Sequence, residues 1–359
     1  MSSLSGFAIL LLQWYEENKR TLPWRSNPDP YWVLVSETML QQTRVSAVLP
    51  YFRRFIEELP TVAHLARVED ERLLKLWQGL GYYNRARNLK KAAAQILAGF
   101  GGRFPDTYEE ILTLAGVGEY TAGAISSIAF GIPAPAVDGN VLRVMARITG
   151  SRADITKPQT KRAFRELVWE MMPAKRPGDF NQAMMELGAT VCMPNGAPCC
   201  ARCPAGAFCR AFLEGVTGEL PVKTKKPGRR VEERTVYLIF HGGAVALRKR
   251  PDKGLLAGLW EYPNEPREKE DALALWGFHG AAEPAGSGKH LFTHVEWRMT
   301  GQALHAGEER LPPGWVWADR RELNQVYALP SAFQCFAERV RWELGRDWKR
   351  PEPMKGEKR

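Results

Sequence analysis

The spacing of apolar residues changes part-way along this chain. Up to about residue 215 they recur at three- and four-residue intervals, in stretches of roughly 8 to 18 residues cut by Gly and Pro. This predicts helices, for example over Val48–Glu58 and Glu69–Leu76. Strand-like alternation is scarce there. Met1–Leu12 reads as a further amphipathic helix: it has no basic start and no small-residue cleavage site, and Gln13 and Trp14 close it. From Pro221 to Arg230 the sequence PVKTKKPGRR is basic and proline-bearing, the composition of a linker whose side chains can also lie along phosphates. Beyond it, RTVYLIFHGGAVAL (Arg234–Leu247) predicts two strands joined at Gly242-Gly243. Short strand candidates continue through His290–Ala303 and Trp315–Trp317, so the second part reads as an α+β domain. The charged, Pro-bearing segment Arg346–Arg359 is expected to be a mobile tail, and no long internal repeat is present.

Composition narrows the class. A chain of 359 residues exceeds the usual domain size of about 100 to 200, so two cores are expected. A hydrophobic fraction of 45% and twelve tryptophans argue for packed interiors and against disorder. No apolar run approaches the roughly 20 residues that span a bilayer, which predicts a soluble, cytoplasmic protein. The net charge of +10 favours a polyanionic partner, because clustered Lys and Arg release counterions on meeting phosphates, although solubility alone can also explain it.

Five of six cysteines fall within CMPNGAPCCARCPAGAFC (Cys192–Cys209), and Cys335 stands apart as a core residue. Such crowding calls for a metal or cluster. Disulfides need an oxidising compartment that nothing here indicates, and zinc is the stronger competitor. All-thiolate ligation suits iron and sulfur, with Cys192, Cys200, Cys203 and Cys209 as the four ligands and Cys199 the alternative to Cys200. The expected role is structural, holding a loop with Arg202 and Arg210 against DNA.

Within LTLAGVGEYTAGAISSIAF, Gly116-Val117-Gly118 interrupts two helical patterns and opens the second, a helix-hairpin-helix signature. Backbone amides at such a helix start bind phosphate without side-chain charge, although an ordinary glycine-capped turn has the same appearance. About twenty residues on, Val137-Asp138-Gly139-Asn140 places a carboxylate ahead of another helix, where a simple helix cap would also fit. Glu37 is harder to explain structurally. A helix over PYWVLVSETMLQQ puts it on the face of Val33, Leu34 and Leu40, where burial would raise its pKa and keep a proton available near neutrality. Two carboxyls in opposed environments are what cleavage of a glycosidic bond through an oxocarbenium-like state requires.

Taken together, LPWR at 22–25, SETMLQQT at 36–43, GLGYYNRARNL at 79–89, LAGVGEYTAGAI and VDGNV resemble the MutY family of adenine DNA glycosylases over nearly all of residues 4–221. The resemblance implies a mainly α region: a helix-hairpin-helix six-helix barrel over roughly 27–130 and a helical domain carrying a [4Fe-4S] cluster. It also implies a substrate of adenine opposite 8-oxoguanine or guanine in duplex DNA. By the same resemblance Glu37 is the acid at the leaving base and Asp138 the carboxylate beside the sugar cation, with Tyr120 and Asn140 hydrogen-bonded nearby. Trp24, Arg25 and Gln182 match the pocket for the flipped adenine. Gln42 and Tyr82 match side chains wedged into the base stack, and Thr43 joins them and the Gly116, Val117 and Gly118 hairpin as DNA-binding residues. Endonuclease III relatives that also nick the strand carry a lysine nucleophile where this chain has Tyr120, so base removal without strand cleavage is expected.

The C-terminal part resembles, more loosely, the Nudix-like module of this family, but PNEPREKEDALALWG lacks the acidic signature of working Nudix hydrolases. Phe292-Thr293-His294 stands where the family has a Phe-Ser-His loop against the damaged guanine. The expected organisation is a catalytic region over 1–221 with its cluster loop at 192–209, a basic linker over 222–231, a Nudix-like recognition domain over 232–345 and the tail over 346–359, in a monomeric protein. The competing readings are a thymine glycosylase, against which residues 231–345 argue, and a non-catalytic DNA-binding protein that keeps hairpin and cluster as scaffold. A free-nucleotide hydrolase is a third, weakened by the missing acidic signature.

Overall fold

A computed structural model of the chain describes residues 4–224, 228–267, 272–307 and 310–345. The expected mobile tail 346–359, and residues 225–227 of the expected linker, lie outside the described residues. By packing, the described residues form two compact units, one drawn from 4–48, 55–67 and 88–224, the other from 49–54, 68–87 and the described residues between 228 and 345.

The first unit is helical. Its opening helix runs Leu4–Asn18, past the Gln13-Trp14 stop read from sequence, because Tyr15 continues the buried stripe of Phe7, Ala8, Leu11 and Leu12. That stripe packs on the helix Pro177–Thr190 and shares one apolar core with its Phe180, Met184 and Leu187 and with Val141, Val144 and Met145 of the helix Gly139–Thr149. The helix Pro30–Leu40 starts where Asp29 accepts from the Tyr31 and Trp32 amides (2.8 and 3.1 Å), with Pro30 in the first turn where no amide donor is needed. Tyr31, Met39 and every residue from Val33 to Thr38 are buried, so this helix is enclosed rather than amphipathic.

Two glycines let backbone approach closely around these helices: a Cβ on Gly123 would lie 2.2 Å from the carbonyl oxygen of Pro135 in the segment that follows its own helix, and one on Gly188 would lie 2.6 Å from Asn140 Cβ on the helix Gly139–Thr149. Gly123→Ala is therefore expected to destabilise the protein by about 2 kcal/mol, overpacking outweighing the helix propensity gained. Urea unfolding of the two proteins checks this, and equal midpoints would refute it.

The second unit holds a seven-stranded sheet: β1 (Arg230–His241), β2 (Ala244–Lys249), β3 (Trp260–Glu261), β4 (Asn264–Pro266), β5 (Glu283–Leu291), β6 (Val295–His305) and β7 (Trp315–Ala318). The order is β3-β2-β1-β6-β5, with β4 on β1 and β7 on β2, and only β1 and β6 run parallel. The glycine hairpin is present: Gly242 and Gly243 both have positive φ (52° and 79°) between β1 and β2. The segment His290–Ala303 is not a strand throughout. It contains the end of β5, a turn at 292–294 and most of β6. Both faces of the central pair are covered, Val236, Leu238 and Phe240 by one apolar cluster and Ile239 by another.

Candidate active site

Glu37 sits in the enclosed helix Pro30–Leu40 with only 4% of its surface exposed. Burial pushes its carboxyl up to about 7; the Tyr120 hydrogen bond and the Arg25 charge pull it down and the Asp138 charge raises it further. The Tyr120 hydroxyl donates to Glu37 Oε2 and also lies 3.3 Å from Met185 Sδ. Burial first, and the neighbouring Glu37 carboxylate second, hold the Tyr120 phenol well above its ordinary range, so it stays a donor. Tyr120 comes from the helix Glu119–Phe130, which opens at Gly118 and closes at left-handed Gly131 (φ 66°).

Asp138 caps the helix Gly139–Thr149. Its Oδ1 accepts from the Asn140 and Val141 amides (2.9 and 2.8 Å), and its Oδ2 from Asn140 Nδ2 (2.7 Å). The contacts that make this cap also fix both carboxylate oxygens in place. Burial raises the Asp138 pKa and these three donors lower it. Asn140 Oδ1 in turn accepts from Arg143 Nη2 (2.9 Å), and Arg143 reaches the Gly188 and Cys192 carbonyls, each at 2.8 Å.

The family model for the HhH-GPD superfamily of base excision DNA repair proteins matches residues 35–170, and that for the NUDIX domain matches 235–339. Adenine DNA glycosylase of Mus musculus is 36% identical across 88% of this chain and 74% of its own length. That of Homo sapiens is 34% identical across 94% and 74%. The chain belongs to the adenine DNA glycosylase family. It is a DNA glycosylase of base excision repair. Among solved structures, a thermostable thymine-DNA glycosylase matches with a TM-score of 0.54 at 29% identity, over 59% of this chain and 97% of that one.

The remaining expected residues of this glycosylase fall in several places. Trp24 and Gln182 are buried, and the Arg25 side chain is largely so. Arg25 donates to Glu186 (2.7 Å), a carboxylate with no exposed surface that Arg20 also holds at 2.6 and 2.8 Å. The two guanidinium groups outweigh burial and keep Glu186 ionised, below its ordinary pKa. Glu186, Arg20, Met185 and Arg143, which the sequence reading missed, contact these candidate residues directly or through one another. For Glu186 the signal was available: it lies four residues after Gln182 in an apolar helix, the same spacing argument that singled out Glu37.

In the hairpin, Gly116 has φ 76° and a Cβ there would lie 2.6 Å from Asn88 Cβ, while a Cβ on Gly118 would meet nothing within 4 Å. Val117 is buried between them. Gln42 is exposed and Thr43 half-buried, and both Gln42 (φ 62°) and Tyr82 (φ 46°) have left-handed backbone, which non-glycine residues adopt only under constraint.

Cys192, Cys200, Cys203 and Cys209 line one recess together with Arg147, Val191, Pro198, Gly206 and Phe212, and Cys199, which is exposed, is not among its walls. Burial pushes the Cys203 thiol up to about 12 and raises those of Cys200 and Cys209. Four thiols on one recess are the donor chemistry that a metal-sulfur group takes. Arg147 Nη1 lies 3.3 Å from Cys192 Sγ.

In the second unit, Thr293 and His294 are exposed at the β5–β6 turn, and the Phe292 ring packs edge-on to Trp297 (5.0 Å) and His290 (4.6 Å). Arg229 Nε donates to the Phe292 carbonyl (2.8 Å) and the Arg230 amide to that of His294 (3.2 Å). Between β4 and β5 the only helix among the described residues is the four-residue Ala272–Leu275. No helix among the described residues is long and apolar enough to cross a membrane.

Proposed function

We propose that this glycosylase removes adenine paired with 8-oxoguanine or guanine from duplex DNA and leaves the strand uncut. The observation that carries this reading is the Glu37 carboxyl, enclosed in an apolar helix, held near pKa 7, hydrogen-bonded by Tyr120 and set close enough to Asp138 for that charge to act on it. Glu37 protonates the departing base as the N-glycosidic bond breaks. The Tyr120 hydroxyl then stabilises the carboxylate that results. Asp138, its oxygens fixed by Asn140 and Val141, lies against the positive sugar carbon until water adds there and returns a proton to the carboxylates. Tyr120 has no amine, so no imine to the sugar forms and the route to strand cleavage by β-elimination is closed.

Trp24, Arg25 and Gln182 receive the extruded adenine. Gln42 and Tyr82 enter the base stack, Thr43 contacts DNA beside Gln42, the hairpin amides of Gly116, Val117 and Gly118 grip a phosphate, and Phe292, Thr293 and His294 face the opposite base. Residues 1–221 form the catalytic region, 222–231 a basic linker that tracks phosphates, and 232–345 the reading domain, acting as a monomer inside the cell. Cys192, Cys200, Cys203 and Cys209 hold a [4Fe-4S] cluster, which supplies a rigid crosslink for the loop 192–209.

Purified protein incubated with a duplex carrying one adenine opposite 8-oxoguanine tests the reading. Adenine release, with strand cleavage only after alkali, supports it. Cleavage before alkali contradicts the role given to Tyr120, and no release from folded, cluster-loaded protein contradicts the activity itself.

A further inference from the structure

Residues 68–87, which belong to the second unit, spend several polar side chains on backbone more than 160 residues away. The Lys75 ammonium donates to the carbonyls of Leu323 (2.8 Å) and Tyr327 (3.0 Å), at the end of the helix Arg320–Gln325. Gln78 Nε2 donates to the Leu329 carbonyl (3.0 Å), Arg87 to that of Ala257, and Lys249 pairs with Glu71 at 3.1 Å. Burial pulls the Lys75 pKa down to about 8, so this lysine is costly to keep where it is.

Between these anchors the chain is tightly folded. Trp77 Nε1 donates to the Gly81 carbonyl (3.0 Å), and Arg85 donates to those of Leu80 and Gly81 (3.0 and 3.2 Å) while lying over the Trp77 and Tyr82 rings. Gly79, at φ 106°, has no room for a side chain: its Cβ would fall 2.1 Å from the Tyr51 hydroxyl oxygen. The turn presents Tyr82, half-exposed and in left-handed backbone, with its hydroxyl 3.3 Å from Thr293 Oγ1. Strained backbone of this kind persists only where its surroundings over-determine it.

We propose that Lys75 and Gln78 are positioning residues that hold the Tyr82 turn to the segment 323–329, so that Tyr82 and the 292–294 turn meet DNA as one rigid element and discriminate the base opposite the target together. This rests on the adenine glycosylase reading above. Neither residue takes part in the hydrogen bonds of Glu37, Tyr120 or Asp138, so loss of the clasp acts on recognition and not on bond breaking.

The test compares full-length protein with its Lys75→Met/Gln78→Leu variant on duplexes carrying adenine opposite 8-oxoguanine or opposite guanine. Affinity is measured with an uncleavable adenine analogue, and rate in single turnover at saturating protein. The preference in affinity for the 8-oxoguanine duplex is expected to fall about tenfold, a common size for coupling between sites. Saturating rates stay within about twofold of the parent, and Lys75→Arg, which keeps a donor, restores most of the preference. Equal weakening on both duplexes, a lowered saturating rate with unchanged preference, or no change at all would overturn the proposal. Should the double variant fail to fold, Gln78→Leu alone carries the same comparison and the same criteria. Parent protein that releases adenine from neither duplex overturns the functional reading, and this inference with it.

Discussion

Glu37→Gln is expected to lower the single-turnover rate of adenine release by about 10³-fold while leaving duplex affinity within a few-fold. The substitution keeps the shape and the acceptor for the Tyr120 hydroxyl but removes the transferable proton, and positioned acid catalysis contributes roughly 10² to 10⁴ in rate. In the parent the proton is present below about pH 7, so release should decline as pH rises through 7, and the variant's residual rate should lose that limb. Stability should fall over the same range, for the same proton. A carboxyl whose folded pKa lies above its unfolded value of 4.5 stabilises the fold fully below 4.5, and that contribution disappears as pH rises through about 7. In alkaline solution the parent carries a buried charge costing on the order of 3 kcal/mol, and the neutral amide of the variant carries none. The variant should therefore be the more stable protein at pH 8.5 and gain nothing at pH 4. A variant with undiminished release, or a parent whose rate is flat from pH 5 to 9, would remove Glu37 from the role of acid.

Asp138→Asn is expected to slow release by about 10² to 10³-fold, the range seen when one group stabilising transition-state charge is removed. Asparagine is as good a helix cap as aspartate, and one oxygen can still accept from the Asn140 and Val141 amides. Its amide nitrogen then faces Asn140 Nδ2, a donor against a donor where Oδ2 now accepts at 2.7 Å. Fold is retained and the local geometry loosens. Loss of the Asp138 charge also removes a contribution that raises Glu37, so the alkaline limb of the pH profile should move to lower pH. A lowered rate with an unmoved limb would separate Asp138 from Glu37 electrostatically and contradict the paired arrangement.

The helices around the site were legible because apolar spacing, Pro30, Asp29 and Gly118 act within one or two turns, over distances that a sequence window covers. Glu37 was legible for the same reason: a lone acid among Val33, Leu34 and Val35 has no exposed side on which to sit. Glu186 satisfies the same condition and was missed, since what makes it tolerable is Arg20, 166 residues away. The β5–β6 turn was also hidden. Residues 292–294 contain neither Gly nor Pro, and the turn is set by the Phe292 amide bonding to the Val295 carbonyl and by Phe292 packing on Trp297.

By itself the sequence determined the change from helical to strand periodicity, the two candidate carboxyls, a tyrosine rather than an amine at position 120, and the cysteine spacing, all carried by residue type and local repeat. Only the tertiary structure decided that Tyr120 donates to Glu37, that Glu186 joins Arg20 to Arg25, that Cys200 rather than Cys199 lines the recess, and that Lys75 and Gln78 bond to the segment 323–329. Each of these depends on which distant segments share a desolvated space. There a hydrogen bond or ion pair sets protonation and position, and local sequence does not encode that proximity.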